Sequence, residues 1–206
     1  AFINAGIAKK CLIIGTETLS RVVDKNDRDS MIFSDGAAAV ILEKTNDKGG
    51  VLSHESATHA LEESNYIFFG ESFNTNDSSK NKYIKMLGRK IYEFALINVP
   101  SAMKVCLDKS KVDITKIKKI LIHQANEKMD EAIIKRFYKL YGMEMPENIM
   151  PMSIDKLGNS SVATVPTLYD LILKGNLGDH SIHPGDIIIF ASVGAGMNIN
   201  AMIYQV

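Results

Sequence analysis

The chain has 206 residues, with 24 Lys and Arg against 24 Asp and Glu, 46% hydrophobic residues, two cysteines and no tryptophan. This length suits one large ordered domain or two small ones, and zero net charge argues against a protein that neutralises a polyanion, so nucleic acid is not an expected partner. The longest apolar runs, such as Ala37–Leu42 and Ile187–Ala191, fall well short of the roughly 20 residues that a membrane span needs.

The chain opens on Ala1-Phe2-Ile3-Asn4-Ala5-Gly6, with no initiator Met. It reads like the last turn of a helix stopped by Gly6, so the start is expected to be cut. Cys11-Leu12-Ile13-Ile14-Gly15 is a short branched run that predicts a fully buried strand. Thr16–Asp29 is polar and loop-like. Ser34-Asp35-Gly36 then turns into a second buried strand, Ala37–Glu43, closed by the polar Asn46–Gly50 turn. Val51–His59 alternates weakly and suits a third strand. Asn74–Lys82 is almost wholly polar, which places the main linker there.

Beyond it the period becomes helical, with Ile84, Leu87, Ile91, Phe94 and Ala95 three and four residues apart. Pro100 is expected to break or kink this helix before Ala102, Val105, Cys106 and Leu107 resume it. Ile120–His123 predicts a short strand. Asn126 stands at the N-cap of a helix over Glu127–Tyr141 that Gly142 closes. Ser160 and Ser161 are placed to cap a helix through Leu173, with Gly175 ending it. Ile187–Ser192 is a strand, followed by Gly194-Ala195-Gly196 and a last apolar strand.

Two stretches resemble one another: Cys11–Gly15 with Asp35–Ala39 and the strand after it, and Ile187–Ser192 with Gly194–Gly196 and the strand after it. Each is a buried strand, then small residues, then a second apolar strand. Such a repeat implies a duplicated α/β architecture, with mixed sheets between helix layers, one half complete and the other present only as its tail. The expected division is residues 1–60 for the tail of the first half, 61–83 for a linker, and 84–206 for the second half.

His123 lies where a strand meets a helix, the end at which α/β folds gather their sites, although a lone His there is also an ordinary hydrogen-bonded structural residue. Asn159 in Gly158-Asn159-Ser160-Ser161 can cap a loop or point its amide outward as an anion-stabilising donor. Gly194-Ala195-Gly196 lacks the third Gly and the following helix that a dinucleotide site requires; the alternative is a close approach of backbone to another strand or to a bound thioester. Cys11, inside a buried strand pattern, and Cys106, mid-helix, lack the exposed, electropositive setting of a reactive thiolate. Their isolation, with nothing resembling a signal peptide, gives a reducing, cytoplasmic default. His54, His59, His180 and His183 form no metal set. Met129, Met143, Met145, Met150 and Met152 read as core filling before they read as a lined tunnel. Lys116, Lys118, Lys119, Lys128, Lys135 and Arg136 form a solvated basic face, with a docking patch for an acidic carrier protein as the minority reading.

Taken together, Ile122-His123-Gln124-Ala125-Asn126, Leu157-Gly158-Asn159-Ser160-Ser161-Val162-Ala163 and Gly185-Asp186 followed by Gly194-Ala195-Gly196 resemble, in order and spacing, the C-terminal part of the β-ketoacyl-acyl-carrier-protein synthase III family. Ala1–Gly6, Ile14–Arg21, Asp27-Arg28 and Phe33–Val40 are similar to the stretch after that family's nucleophile, and Gly88 with Phe94-Ala95 to a further segment. The resemblance implies a thiolase-like fold and a decarboxylative Claisen condensation of an acyl-CoA with malonyl-acyl carrier protein in fatty acid biosynthesis. It implies catalytic roles for His123 and Asn159 as donors to a developing enolate. It also implies that Asn126 contacts the pantetheine arm and that the Gly194–Gly196 backbone lies against the nucleophile.

The family's nucleophilic Cys and most of its coenzyme A adenine site have no counterpart in residues 1–206, and Asn200 stands where the family commonly has Gly. The chain alone is therefore expected to be inactive. No resident cofactor or metal is expected; acyl carrier protein and a coenzyme A thioester are the implied partners, and a homodimer the implied assembly. Two other readings stay open: a related condensing enzyme for a specialised polyketide or aryl lipid, and a non-catalytic ketosynthase-like partner subunit.

Overall fold

The computed structural model describes residues 1–46 and 48–206. A first strand, β1 (Lys10–Thr18), pairs antiparallel with β2 (Asp35–Glu43) in register Gly15 to Ala38 and Glu17 to Gly36. This two-stranded ribbon is the expected strand pair, but its apolar run is open: Leu12 is 62% exposed, Ile14 61% and Ile41 67%. A run without alternation can bury both faces of a strand, and among the described residues nothing covers these side chains, which corrects the expectation of full burial. The stretch between the strands holds two short helical turns, Leu19–Arg21 and Arg28–Ile32.

β3 (Gly50–Thr58) opens the larger sheet. Next come the hairpin of β4 (Ile67–Gly70) with β5 (Tyr83–Met86), the long helix α1 (Gly88–Ser110), β6 (Ile117–Ile122), α2 (Glu127–Lys139), the single turn α3 (Ile154–Leu157), α4 (Thr164–Leu173), β7 (Ile187–Gly194) and β8 (Asn198–Gln205). The sheet order is β3-β8-β7-β6, with β6 and β7 parallel and the other neighbours antiparallel. The chain is therefore α/β with mixed sheets, as the pattern predicts. β3, which falls within residues 1–60, pairs with β8 and so joins the sheet of the later residues. Residues 61–83 carry a helical turn and β4 rather than a bare linker.

One face of the sheet is covered by α1 and α2 over a core that includes Met103, Ile133, Phe137, Ile189 and Ile203. The other is covered by α4 over Leu121, Leu168, Ile172 and Ile188. α4 also touches β2, so it lies between the two sheets.

Pro100 does not break α1, which runs unbroken for 23 residues. Its missing N–H leaves the Leu96 carbonyl, four residues back, without its helical donor. Arg136 of α2 supplies one through Nη1 at 3.3 Å, a tertiary repair that helical periodicity does not disclose. Ser160 does not cap α4: a helical turn at Ser161–Ala163 precedes the helix, and neither start has a side-chain cap.

Candidate active site

His123 leaves the end of β6, and its N–H extends the sheet ladder to the Ala191 carbonyl at 2.8 Å. The next residue, Gln124, is fully buried. Its amide nitrogen donates to the Ile122 carbonyl at 3.0 Å, and its oxygen accepts the Ser153 N–H at 2.8 Å, so Gln124 clamps the turn on which His123 sits. Asn126 caps α2 as expected, accepting the Met129 N–H at 3.2 Å.

Asn159 comes from the opposite side. Its N–H donates to the Ile32 carbonyl at 2.7 Å and its carbonyl accepts the Ser34 N–H at 2.9 Å, a bridge to the strand-like backbone at Phe33. Gly158, at φ 67°, makes the bend; a Cβ there would stand 3.1 Å from the Ile32 carbonyl and from Ser34. Gly15 and Gly36 let the following turn settle on the β1–β2 ribbon, since a Cβ on them would meet the Val162 carbonyl at 2.8 Å and Ser160 Cβ at 2.7 Å. The Gly-Asn-Ser-Ser string is thus held against a part of the chain more than 120 residues away in sequence.

His123, Asn126, Asn159 and Gly194 line one cavity of about 1460 Å³. Each of the first three has one polar end fixed by the fold. His123 Nδ1 is 2.7 Å from Thr164 Oγ1. Asn159 Oδ1 accepts the Ser161 N–H at 2.9 Å, so its Nδ2, with no partner among the described residues, is the donor left for a ligand. Burial pulls the His123 imidazole down from 6.5 to about 4, so it is neutral at pH 7 and carries one ring proton. A neutral imidazole and an amide N–H donor on the wall of one largely apolar cleft are groups of the kind that stabilise negative charge on an oxygen.

Gly196 is not on the cavity wall. Its glycine is required by φ 71°, and a Cβ on either Gly194 or Gly196 would meet nothing within 4 Å among the described residues. Neither cysteine lines the cavity: Cys106 is buried, which pushes its thiol up, and Cys11 lies on β1. Among the described residues no group of three or more His, Cys, Asp or Glu could hold a metal. Of the methionine cluster, Met129 alone reaches the cavity. The basic cluster disperses: Lys119 is buried, Lys135 pairs with Glu131 at 2.6 Å, Arg136 turns to α1, and Lys128 is at the cavity.

Sequence reasoning gave no site role to several wall residues. Arg28 and Asp29 come from the second helical turn after β1, and His54 and Ser56 from β3. Ser56 Oγ donates to Asn200 Oδ1 at 2.7 Å, Asn200 to Asn198 at 2.8 Å, and Asn198 to Thr58 at 2.7 Å, a polar ladder across β3 and β8. The alternation of His54, Ser56 and Thr58 was the available signal. Thr164 had none, because its role depends on a residue 41 positions away.

Two family profiles match the chain, that of 3-oxoacyl-(acyl-carrier-protein) synthase III over residues 1–60 and that of the same synthase's C-terminal part over residues 107–206. The β-ketoacyl-(acyl-carrier-protein) synthase III of Porphyra umbilicalis is 31% identical over 212 residues, covering 99% of this chain and 62% of the relative. The solved 3-oxoacyl-(acyl-carrier-protein) synthase III of Aquifex aeolicus has a TM-score of 0.81 at 27% identity, covering 100% of this chain and 60% of that one. A priming β-ketosynthase from a polyketide biosynthetic pathway shares the fold at TM-score 0.81 and 21% identity, over 100% of this chain and 59% of its own. The chain spans about three fifths of the length of the relatives it matches. With both profiles in chain order and His123 and Asn159 on one cavity, the chain belongs to the 3-oxoacyl-(acyl-carrier-protein) synthase III family.

Proposed function

We propose that this chain supplies the carbanion-stabilising part of a ketoacyl synthase III that condenses an acyl-CoA with malonyl-acyl carrier protein in fatty acid biosynthesis. The observation that carries the reading is the pairing of His123 and Asn159 on one cavity, each anchored on one side and free on the other. The malonyl thioester loses carbon dioxide; the C–C bond breaks and its electron pair moves into the thioester enolate. His123 Nε2–H and Asn159 Nδ2–H donate to the enolate oxygen as charge builds there, a contribution of roughly 10²–10³ in rate per donor. The carbanion then attacks the carbonyl of an acyl thioester, a C–C bond forms, and the thiolate leaves.

The acyl group is carried by a cysteine other than Cys11 and Cys106, neither of which reaches the cavity. Asn126 at the start of α2 and Gly194 at the end of β7 lie along the wall on which a pantetheine arm would rest. Exposed Lys128 beside them suits an acidic carrier protein. The reading includes no resident cofactor or metal, a homodimer and a cytoplasmic location. Exposed Leu12, Ile14 and Ile41 support burial against further protein. Two unpaired cysteines suit a reducing compartment, and among the described residues no helix is long and apolar enough to cross a membrane.

Labelled acyl-CoA offered to residues 1–206 is expected to leave no covalent adduct, whereas the full-length protein is acylated on a cysteine outside them. An adduct on Cys11 or Cys106 would contradict the reading, and an unlabelled full-length protein would favour the partner-subunit alternative.

A further inference from the structure

The two carboxyl oxygens of Asp27 serve different parts of the chain. Oδ1 accepts the Asp29 N–H at 3.0 Å and so caps the helical turn Arg28–Ile32. Oδ2 lies 3.2 Å from Nζ of Lys85, a buried ammonium on β5. The backbone closes the same start, with the Asp27 N–H on the Asp24 carbonyl at 3.0 Å and the Ser30 N–H on the Asp27 carbonyl at 3.1 Å. At the far end of the turn the Ile32 carbonyl receives the Asn159 N–H at 2.7 Å, and the Ser34 N–H returns to the Asn159 carbonyl at 2.9 Å. Both backbone polar groups of Asn159 are therefore spent on the residues in which this turn ends.

We infer that Asp27 is a positioning residue for Asn159: it fixes the start of the five-residue turn whose end holds the Asn159 backbone. The consequence for catalysis rests on the reading of Asn159 as a hydrogen-bond donor to the enolate. Without its cap the Asp29 N–H loses its acceptor and the first turn frays, and the turn also loses its tie to Lys85. A shift of the Ile32 carbonyl passes to Asn159 through one hydrogen bond, and a donor displaced from the developing charge loses much of its effect. His123 reaches the cavity from β6 and is held by Ala191 and Thr164, so the error falls on one donor and spares the other. Lys85 keeps Asp24 as a partner at 2.6 Å when Asp27 is truncated, so its ammonium is not left unpaired.

The test uses the full-length protein with nitrogen-15 asparagine, in which an Asn159→Asp sample assigns the Asn159 side-chain amide signals. Asp27→Ala is expected to shift those signals and to lower malonyl decarboxylation about 10-fold, while acylation of the cysteine stays within about threefold. Asp27→Asn keeps an acceptor for the Asp29 N–H and should return the signals and most of the rate. A folded Asp27→Ala protein with unshifted Asn159 signals overturns the inference whatever its activity. Equal losses in acylation and decarboxylation, or an Asp27→Asn protein no better than Asp27→Ala, would reduce Asp27 to a general stabiliser and overturn it too. Should the Ala variant fail to fold, Asp27→Gly, which costs a helix start only a few tenths of a kcal/mol, is read by the same signals and rates. Shifted Asn159 signals in a protein whose wild type does not decarboxylate malonyl-acyl carrier protein would sink the functional reading and leave the positioning of Asn159 by Asp27 standing.

Discussion

The backbone N–H of Ser161 donates to Oδ1 of Asn159 at 2.9 Å, and Ser161 makes this bond from a left-handed conformation at φ 54°. A non-glycine residue there costs on the order of 1 kcal/mol, so the chain holds strain at the point that aims the Asn159 amide. Only the backbone of Ser161 takes part. Ser161→Gly should keep decarboxylation within about threefold and leave stability equal or higher. Steady-state rates and a urea titration check this; a loss of 10-fold or more would mean that the hydroxyl itself is used.

Gly36 permits the turn that follows Asn159 to lie on β2, because a Cβ would come within 2.7 Å of Ser160 Cβ. Gly36→Ala must push Ser160 away or separate the ribbon from the turn, and Asn159 moves with it. A stability loss of about 1–3 kcal/mol is expected, with a larger fractional loss in decarboxylation than in acylation. Unchanged decarboxylation in a folded Gly36→Ala protein would detach the ribbon from the site.

Asp130, on the buried side of α2, has an Oδ2 atom with no partner among the described residues, and burial raises its carboxyl from 3.8 to about 8. The folded form therefore keeps a proton that the unfolded chain releases. The stability linked to this proton is complete below about pH 4 and is lost as pH rises toward about 8. His123 acts in the opposite sense: its folded value of about 4 lies below the ordinary 6.5, so its contribution is lost as pH falls through that interval. Asp130→Asn should flatten the alkaline limb and gain about 1 kcal/mol or more at pH 8. Denaturant titrations at pH 5 and pH 8 decide; equal slopes for wild type and variant would contradict the burial argument.

Lys85 on β5 is buried with Asp24, its Nζ 2.6 Å from Asp24 and 3.2 Å from Asp27, and 3.6 Å from the centre of the Phe73 ring. Burial pushes the Asp24 carboxyl up, but the Lys85 ammonium and the N–H groups of Asn26 and Phe73 outweigh it and hold the group well below the usual carboxylate range. These ion pairs fasten the hairpin to the turn that carries Arg28 to the cavity. Lys85→Met leaves two carboxylates without their cation and should lower the melting temperature. A Lys85→Met/Asp24→Leu double variant should recover part of the loss. A double variant less stable than the single would refute this account of the pair.

The strand pairs, α1, α2 and the His123 and Asn126 positions were legible because each depends on local period, capping or strand ends. Asn126 needed only its place before an amphipathic run. What stayed hidden depended on distant partners. Arg136 rescuing Leu96 across two helices kept Pro100 from breaking α1, and β3 joined β8 across about 150 residues of chain. Lys85 finding Asp24 turned a polar stretch into a fastened hairpin. Thr164 was ordinary until folding set it against His123. The exposure of Ile14 and Ile41 shows the converse limit: an apolar run states what can be buried, not what covers it.

The central claim is that His123 and Asn159 act together as donors to an enolate oxygen. Its most direct test is decarboxylation of malonyl-acyl carrier protein by the full-length protein, measured apart from acyl transfer, for wild type, His123→Ala, Asn159→Asp and the double variant. Each single change is expected to lower the rate by about 10²–10³, the double change by less than the product, and cysteine acylation by little. Near wild-type decarboxylation in either single variant, or parallel loss of acylation and decarboxylation in a folded protein, would contradict the account.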